Sequence, residues 1–150
     1  VITEPVSPVT PPTAMSDEDR ELLQAAQALL GRVWVHGRHE VATALRTVEG
    51  AVYTGVHLEG SCRRSSICAE GVALGTARAG IAPGAPLAIQ CVVSVQIKPA
   101  GQYRIIAPCG VCRELISDYS PDARIWITAD AGVVAVAAQD LLPHKTRRVW

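Results

Sequence analysis

Two short stretches decide how this chain is read: Cys68-Ala69-Glu70-Gly71-Val72-Ala73-Leu74-Gly75 and Pro108-Cys109-Gly110-Val111-Cys112-Arg113. Each places a cysteine at the first turn of a segment with helical spacing of apolar residues, over Cys68–Ala79 and about Gly110–Tyr119. Free backbone amides and the helix dipole at such a position favour thiolate over thiol. Cys109 and Cys112, three apart, reach one metal from a single turn, and Cys68 joins them from a second helix start. Three protein ligands leave one tetrahedral position open, the arrangement of a catalytic rather than a structural zinc site. Water there becomes a hydroxide nucleophile near neutral pH. Glu70, two residues after Cys68, starts on another side of its turn. It stands where a carboxylate takes the water's proton and passes it on without ligating the metal. Arg113, next to Cys112, is the expected donor that softens the negative charge of three thiolates.

A structural reading competes with this one. A lone Cys-x-x-Cys also marks zinc knuckles, which close with a fourth ligand, and Cys62, Cys91 or any of the four histidines is available for that. The pairing of a Cys-Ala-Glu helix start with a later Pro-Cys-x-x-Cys helix start is the more specific signal, and it is a signature of zinc deaminases of nucleobases.

The rest of the chain supplies a domain around these motifs. Its 150 residues suit one core, and 49% apolar with 19% charged residues is the balance of a globular protein. Fourteen basic residues offset fourteen acidic ones. A nucleic-acid binder ordinarily carries a basic excess and aromatic stacking platforms, so neutrality and 4% aromatic residues favour a small-molecule substrate. Five cysteines cannot all pair. No stretch reads as a secretory signal or a membrane span, and a cytoplasmic location is the expectation.

Outward from the motifs, Val1–Ala14 holds four prolines and reads as an extended arm or a flexible lead-in, with Met15 as a candidate start. The expected division is a proline-rich arm or tag over 1–15 and a zinc domain over 16–150. Ser16 caps a helix with Asp17, Glu18 and Asp19 in its first turn and Leu22, Leu23, Ala26, Leu29 and Leu30 as its stripe, and Gly31 is expected to end it. Val41–Arg46 and Ala51–Val56 form a hairpin around Glu49-Gly50. Leu87–Ile97 is apolar enough for a central strand, broken at Pro99-Ala100-Gly101. Tyr103–Ala107 is a short extended piece, Arg124–Thr128 and Val133–Ala137 are strands, and Ala138–Leu142 is a short helix stopped by Pro143. The alternation predicts an α/β fold with a mixed sheet flanked by helices.

With these motifs in hand, the sequence resembles the cytidine deaminase family in its small three-cysteine branch, and the blasticidin-S deaminases within it, from about Ser16 onward. Val41–Leu45 and Thr54-Gly55-Val56-His57-Leu58-Glu59 look like the family's first two strands. Leu141-Leu142-Pro143 and the near-terminal Trp150 look like its ending. The resemblance implies a three-layer α/β/α fold with a mixed five-stranded sheet, zinc (Zn2+), release of ammonia and a homotetramer. It implies substrate contacts at Glu59, His57, His39 and Ala69. Glu59 matches the family's Asn-x-Glu pair while His57 replaces the Asn. His39 stands where an aromatic is usual, and Gly71 where an Arg often follows Cys-Ala-Glu. The reaction machinery thus matches while the substrate-facing positions differ. That pattern favours a modified nucleoside, a nucleoside antibiotic or a related amino-substituted ring over ordinary cytidine. The alternatives are a nucleic-acid deaminase with the same zinc site and a non-enzymatic zinc module.

Overall fold

A computed structural model describes residues 2, 4–98 and 101–149. Pro99, Ala100 and Trp150, part of the readings above, lie outside them. Among the described residues three α-helices and six strands follow in the order α1 (Asp17–Val33), β1 (Val41–Thr47), β2 (Val52–Val56), α2 (Ala69–Gly80), β3 (Ile89–Lys98), β4 (Gln102–Ile105), α3 (Gly110–Tyr119), β5 (Arg124–Ala129) and β6 (Gly132–Ala137). Short 3-10 turns span Arg63–Ser65 and Ala138–Leu141.

The mixed sheet runs β2-β1-β3-β5-β6. Alternation along its strands sends side chains to two cores. Ala42, Ala44, Cys91, Val93, Val95 and Trp126 pack with Leu22, Leu23, Ala26 and Leu30 of α1. Leu45, Val92 and Ile125 pack on the other face with Ala73, Leu74 and Ala77 of α2 and Cys112 and Ile116 of α3. The result is the three-layer α/β/α arrangement. Among the described residues no helix is long and apolar enough to cross a membrane.

Three details depart from the sequence expectation. The sheet has a sixth strand. β3 is ten residues long, and β5 covers only Cys91–Val93 of its free edge. The remainder, Val95–Lys98, is left for β4 to pair antiparallel, so the short extended piece joins the sheet. Second, α1 runs through Gly31 to Val33. Gly31 is there for clearance, since a Cβ would stand 2.6 Å from the Tyr103 hydroxyl. Third, the proline-rich segment is tied to the domain. Ser7 bridges Gln102 of β4, Val9 N donates to Gln27 Oε1 at 2.8 Å, and Met15 is buried.

The inner end of α1 carries a charge deep into the molecule. Asp19 is 1% exposed, and its carboxylate accepts from Arg46 Nη2, Arg124 Nε and Nη2, and Trp126 Nε1 at 2.5–2.9 Å. Burial alone would raise this carboxyl. The hydrogen bonds from Arg124, Arg46 and Trp126 overturn that and hold it well below the usual carboxylate range.

Candidate active site

Two helix N-termini meet on the α2–α3 side of the sheet. Cys68 is the N-cap of α2 and Cys109 the N-cap of α3, each with extended backbone and without a side-chain capping bond. Both sulfurs are therefore free for other work, whereas a Ser or Asp there would be spent on the helix's own amides. Cys112 lies on the first turn of α3 and is buried. The sulfurs of Cys68, Cys109 and Cys112 all lie within 4.8 Å of one another, and those of Cys68 and Cys109 are 3.3 Å apart. Cys62, on an exposed loop, and Cys91, in the α1-side core, stand outside this group.

The group fits a soft dication. Ligands at ~2.3 Å in a tetrahedron stand about 3.8 Å apart, within the range of these separations. Without a cation between them, ionising all three sulfurs sets negative charges against one another. Burial pushes Cys68 up to about 11, with Cys109 and Glu70 adding to it. Cys112 is raised further by burial and by the negative charges of Glu70 and Cys68. Cys109 alone follows the helix-start expectation. Desolvation opposes its ionisation, but hydrogen bonding from the Cys112 amide, from the Cys68 and Cys112 thiols and from the Val111 amide prevails, and its thiol falls below the ordinary value. The dipole argument thus covers one of the three cysteines. A bound dication removes the penalty on the other two.

Glu70 projects from the first turn of α2 and is 4% exposed. Its Oε2 lies 3.5 Å from Cys112 Sγ, and its Oε1 accepts from Ser94 Oγ at 3.0 Å. Ser94 Oγ in turn lies 2.7 Å from Thr43 Oγ1. Sequence reasoning passed over Ser94 and Thr43. The available signal is a hydroxyl interrupting the apolar run of β3. Ala69, between Cys68 and Glu70, is buried against the sheet. Gly55 of β2 sets the distance of α2, because a Cβ there would run into Ala73 N and Ala69 O.

Arg113 donates to the carbonyls of Pro108 at 2.8 Å and Leu141 at 3.1 Å. Among the described residues its hydrogen bonds do not reach a cysteine sulfur. It braces the segment that delivers Cys109.

Of the four residues expected to face substrate, Glu59, His57 and His39 form one cluster at the open end of the β1–β2 hairpin, while Ala69 is buried on α2. His57 Nδ1 accepts from Glu40 N at 3.4 Å, which leaves the ring proton on Nε2, 3.3 Å from Glu59 Oε2 and 3.5 Å from Ser66 Oγ. His39 Nδ1 meets the His57 carbonyl at 3.0 Å. A bridge between Leu58 and Ile67 closes this loop just ahead of Cys68. His57 is thus occupied with Glu59, and His39 with the backbone beneath it.

No family model matches the chain. A blasticidin-S deaminase from Bacillus cereus is 31% identical over 138 residues, covering 89% of this chain and 96% of that one. The chain belongs to the cytidine deaminase family. A cytidine deaminase from Halalkalibacterium halodurans is 27% identical over 129 residues, covering 83% of this chain and 92% of its own. The solved cytidine deaminase from Burkholderia pseudomallei superposes with a TM-score of 0.70 at 28% identity, over 85% of this chain and 98% of that one. In this chain Cys68, Cys109, Cys112 and Glu70 bring two helix starts together beside a buried carboxylate.

Proposed function

We propose that this protein is a hydrolytic deaminase of a small aminopyrimidine nucleoside or nucleoside-like compound, with zinc held by Cys68, Cys109 and Cys112. The observation that carries the proposal is the approach of the buried Glu70 carboxylate to a cluster of three cysteine sulfurs. When bound, zinc supplies the Lewis acidity that makes water nucleophilic near neutral pH. Glu70 takes one proton of the attacking water at Oε2 and delivers it to the ring nitrogen beside the reacting carbon, then takes the proton of the newly added hydroxyl and gives it to the departing amine. Water adds, the C–N bond breaks, and ammonia leaves with a carbonyl in its place. The burial of Glu70 and Ala69 keeps bulk water from competing for that proton.

Glu59, oriented by His57, is the proposed acceptor for a substrate hydroxyl or cation, and His39 and Ala69 are the further proposed substrate contacts. The histidines at these two positions support a nucleoside other than plain cytidine, in keeping with a relative named for blasticidin S. Arg113 serves the site by bracing the Cys109 segment. The same reading includes a homotetramer, a cytoplasmic location, and a domain over 16–150 preceded by the arm. Sedimentation and cell fractionation test the first two.

The deciding experiment is ammonia release by zinc-loaded protein against cytidine, deoxycytidine, cytosine, blasticidin S, other aminopyrimidine nucleosides and a cytosine-containing oligonucleotide. Turnover of a free nucleoside that vanishes in Glu70→Gln is the expected result. Turnover of the oligonucleotide alone would move the protein to nucleic-acid deamination. Silence throughout, with metal bound, would leave a deaminase of another substrate or a zinc module, and a search for a fourth zinc ligand separates those two.

A further inference from the structure

Glu70 is anchored from outside its own helix. Thr43 and Ser94 are direct partners across the β1–β3 ladder, and they project toward α2 from the face opposite Ala42, Ala44, Val93 and Val95. Both hydroxyls are buried, at 0% and 3% exposure, beside a carboxylate at 4%. Their chain of hydrogen bonds has one polarity. A carboxylate only accepts, so Ser94 spends its single proton on Glu70 Oε1. The bond between the two hydroxyls must then run from Thr43 to Ser94. Burial of two hydroxyls is costly unless they are bonded, and a valine and an alanine would fill these places with less penalty. Packing alone does not call for them.

We infer that Ser94 and, through it, Thr43 are positioning residues for the reaction: they pin Oε1 of Glu70 and leave Oε2, on the side of the three sulfurs, as the oxygen that carries the proton. The inference rests on the proton-carrying role proposed for Glu70. The reason for such a pin is geometric. One carboxylate oxygen must serve the water, the ring nitrogen and the amine in turn, each at hydrogen-bond distance, and a side chain free to rotate would lose that reach. Anchoring the other oxygen to a rigid central strand makes the carboxylate a fixed arm.

The test compares Ser94→Ala, Thr43→Val, the double variant and Ser94→Thr, all zinc-loaded, for kcat, KM and metal content. Infrared difference spectra against Glu70→Gln isolate the Glu70 carboxylate stretch in metal-loaded and metal-free protein. Ser94→Ala is expected to keep its metal and its KM, lose about 10–100-fold in kcat, and shift the carboxylate band in both metal states. Thr43→Val is expected to lose less, about 3–10-fold. The double variant should be no slower than Ser94→Ala, because Thr43 acts only through Ser94. Ser94→Thr should recover most of the rate. A Ser94→Ala enzyme within about twofold of the parent kcat per bound metal overturns the inference, whatever its band does, and so do losses that merely track lost metal or multiply in the double variant. If Glu70→Gln itself turns over normally, the functional proposal fails. If Glu70→Gln is dead while Ser94→Ala is unimpaired, this inference alone fails.

Discussion

Replacing Asp19 by Asn keeps the shape of the side chain and removes its charge from a closed cluster. Arg46 is 8% exposed in its side chain and loses its buried counter-ion, although it keeps the exposed Glu18 carboxylate at 3.9 Å, the Glu18 carbonyl at 2.8 Å and Gln90 Oε1 at 2.6 Å. Arg124 is 40% exposed and can turn to water. Trp126 Nε1 keeps an oxygen acceptor if the amide is oriented toward it. Breaking a buried ion pair from one side costs about 3–5 kcal/mol, and these remaining partners put Asp19→Asn at the low end, near ~3 kcal/mol. At about 2–4 °C per kcal/mol for a chain of this size, the midpoint of thermal unfolding should fall by about 6–12 °C at pH 7. The pH dependence has a definite sign. The folded carboxyl is held below its unfolded value, so its contribution is complete above that value, about 3.9, and disappears as pH falls toward the folded one. The gap between parent and variant should therefore be constant from pH 7 to about 5 and narrow below about 4. Calorimetry at matched metal loading reads both. Asp19 lies on the α1 side of the sheet, beside Cys91 and across the sheet from Cys68, Cys109 and Cys112, so kcat per folded molecule should not change. A variant melting within about 2 °C of the parent at pH 7 would refute the argument that this cluster clamps α1 to the sheet.

Three further outcomes are expected. Glu70→Gln should bind metal as the parent does and lose about a thousandfold or more in kcat, measured by ammonia release. Cys109→Ala should lose stoichiometric zinc by elemental analysis, and full metal in that variant would mean the ligand set is wrong. Gly55→Ala should drive α2 away from β2, because the new Cβ meets the backbone of Ala69 and Ala73 rather than a movable side chain. It should cost about 1–3 kcal/mol in stability and lower kcat through displacement of Glu70, while a substitution at Gly75, with nothing near its Cβ position, should do neither.

What could be read from the sequence divides along the range of the interactions involved. The limits of α3, the hairpin around Gly50 and the cap at Ser16 are written in neighbouring residues, and structure and sequence agree on them. Gly31 shows the failure of the same logic. Its lack of a side chain looks like a helix stop, yet the reason for it is Tyr103, seventy-two positions away, whose hydroxyl fills the space. The strand Gln102–Ile105 is equally hidden. Nothing in its four residues says that β5 leaves the far half of β3 unpaired.

The site divides in the same way, and the division bears on its chemistry. The clustering of the three cysteines near Glu70 is legible because the proposed metal site on helix starts needs short spacings, so these residues fall within two local motifs. The hydroxyls behind Glu70 come from strands fifty-one residues apart, and they meet only because the β1–β3 register sets Thr43 opposite Ser94. His57 also looked substrate-facing by its place in a motif, and its partner Glu40 is supplied by the turn before β1. Local sequence thus names the groups that react, while register decides which oxygen or nitrogen of each group is left free to react. A family member could keep every residue of its motifs and still change its chemistry by a one-residue slip of β1 against β3, which would turn Thr43 to the α1 face and leave Ser94 without its donor.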